Sequence, residues 1–218
     1  MVQRLKSPNS LNLLGTDHLG RDVLARIVHG YRTSLFSSAL AVAFSLLIGG
    51  TLGIVSAYYR GWFDRIVMRL MDILFAFPIM LLAIAVIAII GPSQWGASIA
   101  IAIVYTPIFA RLLRGPSLVI CESEYVLSAK AIGAGDGRIV FLHILPNLAS
   151  VILVQSSLLL SAAILVEASL SFLGLGAQPT GSRTWAFALS EGRKLFIVIY
   201  HLGQLCVPAS RFCFYLSF

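Results

Sequence analysis

The segment 124–147, EYVLSAKAIGAGDGRIVFLHILPN, is a polar, glycine-broken stretch between long uncharged hydrophobic runs, and it concentrates the side chains with chemical possibilities. Its Gly133-Ala134-Gly135-Asp136-Gly137 run has the glycines of a phosphate cradle but no lysine to hold a phosphate, and no Gly-x-x-x-x-Gly-Lys-[Ser/Thr] pattern occurs in the chain. The cysteines, Cys121, Cys206 and Cys213, have no metal spacing and are odd in number, so neither a zinc site nor a disulfide framework is indicated. The four histidines are scattered, and no nucleophile-base pair is visible. Glu167 is the one acid well inside a hydrophobic run. At a helix centre an ionisable group costs on the order of 2.5 to 3.5 kcal/mol, so Glu167 must face protein or water, or reach the interface near its span's end. It is a candidate intramembrane polar site with substrate contact as the less favoured role.

Composition explains why. A hydrophobic fraction of 58% with only 11% charged residues and a mean hydropathy of +0.91 place the chain among membrane proteins. The net charge of +7 lies beside hydrophobic runs, which favours lipid headgroups over nucleic acid as the partner. No secretory signal opens the chain, because residues 1–32 are polar and basic with no apolar core.

A helix needs about 20 apolar residues to cross the hydrocarbon. Charge-free windows predict spans at 34–58, 73–90, 96–113 and 148–172, the second and third forming a hairpin around Gly91-Pro92-Ser93-Gln94-Trp95-Gly96. A fifth candidate, 195–210, is short and contains His201, Gln204 and Pro208. The expected fold is an all-α, polytopic transmembrane bundle with three parts: a polar segment 1–32, a membrane domain 33–194 with a loop at 114–147, and an atypical tail 195–218. Alternation puts the 60–72 and 114–147 segments on one side. With Arg111 counted at its helix end, seven Lys/Arg then fall there against eight opposite, so charge does not set the orientation. That balance points to a further helix upstream.

Residues 20–32 put Val23, Leu24, Ile27, Val28 and Tyr31 on one face, a pattern for an interfacial helix that Thr16 or Asp17 can cap. The loop reads as two short helices: 124–132, stopped by a left-handed Gly133 or Gly135, and a second one capped by Asp136 and ended by Pro146. Tyr125, Ala129 and Ile132 share a narrow face suited to a groove on another protein, or else the loop merely covers the ends of its own bundle. Ser45, Gly49, Gly53 and Ala57 form a small-residue stripe for close helix packing, within the subunit in preference to a companion subunit.

Glu124, Ser128-Ala129, Gly133 and Ile144-Leu145-Pro146 together resemble the coupling motif of importer permeases of the ATP-binding cassette type, with Ser128 where a first alanine is usual. GTDHLGRD at 15–22 and EASLSFLGLG at 167–176 extend the likeness to the dipeptide, oligopeptide and nickel permease family, specifically its second membrane subunit, over residues 13–194. The resemblance implies a fold of the type I importer kind and a multi-pass subunit of a bacterial inner or plasma membrane. It implies a companion permease, ATPase subunits carrying ATP and Mg, and an extracytoplasmic solute-binding protein as partners. The chain itself would bind no cofactor and catalyse no reaction. Glu124, Tyr125, Ser128, Ala129, Ile132, Gly133, Ile144, Leu145 and Pro146 would form the cytoplasmic ATPase-coupling loop. Two departures, the short start and a tail that loses the family pattern after Lys194, raise the alternative of a truncated or frameshifted nonfunctional copy. A membrane enzyme or self-sufficient carrier is the weakest reading.

Overall fold

The computed structural model describes residues 13–16 and 20–176. The fifth span candidate, the tail and Asp17 lie outside them. The described residues form six helices: α1 (Val23–Tyr59), α2 (Gly61–Phe75), α3 (Ile79–Ile90), α4 (Gln94–Cys121), α5 (Glu124–Ala131) and α6 (Asp136–Phe172). Three of them, α1, α4 and α6, are long and apolar enough to cross a membrane, and α2 with α3 makes at most a fourth span bent by 93°. The four straight spans expected from charge-free windows are therefore corrected to three plus a broken pair.

Each correction has a local cause. α1 is capped by Asp22, whose carboxylate accepts from the Leu24 amide at 3.1 Å, and Thr16 instead forms an isolated bridge with Asp22. From there the helix runs unbroken into the span, because no proline interrupts residues 23–59. The separate interfacial helix at 20–32 is thus fused to the first span.

The 60–72 segment is helical, not a loop. Arg60 (φ 51°) and Gly61 (φ 65°), both left-handed, make the corner between α1 and α2. The expected span 73–90 breaks at Ala76-Phe77-Pro78, since proline has no amide hydrogen and pushes the residue before it out of helical conformation.

α4 continues eight residues past the expected end at Leu113, through Arg114 and Pro116, to Cys121. A charge closes an apolar window, but it does not end a helix when it is paired. Arg114 makes two 2.6 Å hydrogen bonds to Asp64, and the Ser117 hydroxyl donates to the Leu113 carbonyl at 2.6 Å beside the proline. α6 likewise starts at Asp136 and passes Pro146, so the short second loop helix and the span expected at 148–172 are one helix. A wide π turn at Val140–Ile144 precedes the proline, and Asn147 Nδ2 donates to the His143 carbonyl at 2.6 Å.

α4 is the centre of the bundle, with 72% of its apolar window buried against 17% for α6. α1, α2, α3 and α6 all pack on it. Phe109, Ile101 and Leu113 of α4 meet Ile87 of α3 and Leu148 and Leu170 of α6 in one core.

Candidate functional site

The small-residue stripe of α1 faces α4 of the same chain. A Cβ built on Gly49 would overlap the Thr106 carbonyl, and one on Gly53 the Ala110 carbonyl, while Ser45 and Ala57 are fully buried on the same line. Absence of side chains at Gly49 and Gly53 is what lets the two backbones meet.

Glu167 is 3% exposed and faces protein. Its Oε1 accepts from the Ser171 hydroxyl at 3.1 Å, while among the described residues Oε2 and the buried Ser38 hydroxyl have no hydrogen-bond partner.

At the opposite end of the bundle the 114–147 region is built on α5. Its helix formers give two turns, and its end is a Schellman closure: the Gly133 amide donates to the Lys130 carbonyl and the Ala134 amide to the Ala129 carbonyl, both at 3.0 Å. Gly133 has φ +82°, the left-handed value expected of it. Gly135 does not, with φ −67°, because it serves as the extended residue preceding α6. Asp136 lies one position inside α6 and does not cap it.

Its carboxylate instead accepts from two tyrosines at the end of α1, from Tyr58 at 2.7 Å and from Tyr59 at 3.2 Å. Lys130 Nζ sits 4.5 Å from the centre of the Tyr58 ring. Arg60 reaches Glu122 at 2.8 Å. On the far flank, Asn147 Nδ2 donates to the Tyr125 hydroxyl at 3.2 Å. The loop is thereby tied to α1 and α6. Residue types alone do not mark Tyr58, Tyr59, Arg60, Glu122 and Asp136 as its anchors; the one visible signal is a Tyr-Tyr-Arg cluster at a span's end.

The expected Tyr125-Ala129-Ile132 face is not continuous. Ala129 is 8% exposed and turned into the chain beside Val126, whereas Tyr125 is 45% and Ile132 86% exposed. Ile132 follows the last helical residue, so helical spacing no longer places it above Ala129. Glu124 and Ser128 are exposed; Ile144 is buried, Leu145 half-buried and Pro146 exposed. The exposed apolar side chains of this region are Tyr125, Leu127 and Ile132 from the α5 region and Phe141 and Leu142 from α6.

A family described as "Binding-protein-dependent transport system inner membrane component" matches residues 49–203. The match runs past Lys194, where the tail was expected to lose the family pattern. The chain is 46% identical over 198 residues to the glutathione transport system permease protein GsiD of Pectobacterium atrosepticum, covering 91% of this chain and 65% of that protein. It is 48% identical over 191 residues to the dipeptide transport system permease protein DppC of Alkalihalophilus pseudofirmus, covering 88% and 62%. GsiD of Escherichia coli O157:H7 is 43% identical over 196 residues, covering 90% and 64%. The chain thus spans just under two thirds of the length of these relatives. With a family match over most of its residues, apolar helices long enough to cross a bilayer and relatives that are transport permeases, this multi-pass membrane protein belongs to the family of inner membrane components of binding-protein-dependent transport systems.

Proposed function

We propose that the chain is the permease subunit of an ATP-driven, binding-protein-dependent importer, with the type I importer arrangement of helices, and that its 124–146 loop receives the motion of an ATPase subunit. The observation that carries this is the loop's construction: an exposed apolar surface held by side-chain ties to α1 and α6. A push on these exposed side chains reaches two membrane helices through side-chain hydrogen bonds rather than through slack chain. Companion permease, ATPase subunits with ATP and Mg, and an extracytoplasmic solute-binding protein complete the machine.

The relatives' names, glutathione and dipeptide transport permeases, support a short peptide as solute in preference to nickel. The reading of a damaged, nonfunctional copy gains no support from them. The test is co-expression with the companion permease and ATPase subunits, followed by affinity purification. Ile132→Asp is expected to release the ATPase while the companion permease stays bound. Full retention of the ATPase by Ile132→Asp and by a Leu127→Asp/Ile132→Asp variant would refute the docking assignment.

A further inference from the structure

α2 has three stripes, and one of them has no partner among the described residues. Val67 and Met71 are buried against the bundle, and Asp64 and Asp72 on its flanks clip it to α4 through Arg114 and Arg111. Trp62, Ile66, Leu70 and Ile73, spaced i, i+4, i+8 and i+11, form a second stripe, and Trp62 is 69% exposed. Arg65 and Arg69 lie one turn apart on the border of that apolar stripe, both exposed. Among the described residues neither arginine has an ion-pair or hydrogen-bond partner.

The 93° bend at Ala76-Phe77-Pro78 turns α2 across the direction of α3. A 15-residue helix bearing two acids and two arginines cannot itself cross the hydrocarbon. It has the anatomy of a helix lying in the interface plane, with tryptophan and aliphatic side chains at the acyl boundary and arginines rising to the headgroups.

We propose that α2 is a binding site for anionic phospholipid: Trp62, Ile66, Leu70 and Ile73 enter the acyl boundary of the leaflet on the loop side, and Arg65 and Arg69 hold lipid phosphate. Charge complementarity decides between a lipid and a protein occupant, because two arginines unpaired among the described residues match an anionic headgroup and would need supplied carboxylates in a protein interface. Bound lipid would act through the Asp64–Arg114 and Asp72–Arg111 pairs, setting the depth of α4, and so of the loop at its end, relative to the membrane surface.

The test uses the full chain with Trp95→Phe and Trp185→Phe, which leaves Trp62 as the single tryptophan. It is reconstituted in phosphatidylcholine vesicles doped with equal fractions of brominated phosphatidylglycerol or brominated phosphatidylcholine. Both lipids are expected to quench Trp62, the anionic one more strongly. Arg65→Gln and Arg69→Gln should each lower that preference about fivefold, and Arg65→Lys/Arg69→Lys should retain it. Absence of quenching, equal quenching by the two lipids, or an undiminished preference in Arg65→Gln/Arg69→Gln would overturn the proposal. So would loss of quenching on assembly with the companion permease, which would make the face a protein interface. Since both leaflets carry the probe, the result does not depend on insertion direction or on ATPase docking.

Discussion

The Tyr58 hydroxyl donates to Asp136 Oδ1 at 2.7 Å and joins the end of α1 to the start of α6 across 78 positions of sequence. Tyr59 adds a second donor to the same carboxylate, and the two tyrosine rings meet edge to face at 5.2 Å. This junction closes the loop onto the bundle. Tyr58→Phe removes one donor without changing the ring, and amides of residues 124–139 should then exchange with deuterium roughly two- to tenfold faster, the equivalent of one hydrogen bond. Exchange in α4 should not change. Unaltered exchange in Tyr58→Phe/Tyr59→Phe would show that the junction does not hold the loop.

The α1–α4 contact makes a sharper stability prediction. Gly49→Ala places a methyl group against the backbone carbonyl of Thr106, an overpacking that should cost about 1–3 kcal/mol. Gly115→Ala, in the same pair of helices but with nothing within 4 Å of the added carbon, should stabilise by up to about 1 kcal/mol through helix propensity. Thermal inactivation of the detergent-solubilised chain measures both. Equal effects would mean that the close approach is not sterically enforced.

Much of this arrangement was legible in residue types. The apolar windows located three long helices, the four-residue spacing of Gly49 and Gly53 located a close helix contact, and Gly133 announced a left-handed helix stop. What the sequence hid were events that depend on a partner far along the chain. Arg114 looked like the end of a span because its pairing with Asp64, fifty positions away, cannot be read locally. Pro146 looked like a terminator because the π turn before it leaves no local signature. Asp136 looked like a helix cap because the tyrosines that occupy its carboxylate come from another helix. Ala129 was placed on an outward face, and tertiary packing turned it inward.

The same contacts make a prediction about which positions share a side of the membrane. Arg60 and Glu122 pair at one end of the bundle, and Gln94 begins α4 at the other. In a background lacking Cys121, Cys206 and Cys213, single cysteines at positions 61, 123 and 138 should react with an impermeant thiol reagent from one side of sealed vesicles, and position 94 from the opposite side. Labelling of 94 and 138 from the same side would overturn the helix order given above.

The proposed coupling role of the loop is tested most directly by transport and ATP hydrolysis in the complete complex carrying Gly133→Val. Space is not at issue, since nothing lies within 4 Å of the added carbon, but φ +82° is a conformation that a β-branched residue adopts only with strain of about 1–3 kcal/mol. Gly135→Val is the matched control, with equal space and an ordinary φ of −67°. Gly133→Val is expected to insert normally and retain ATP hydrolysis but lose solute uptake, while Gly135→Val transports as the parent does. Full uptake by Gly133→Val would contradict the coupling role.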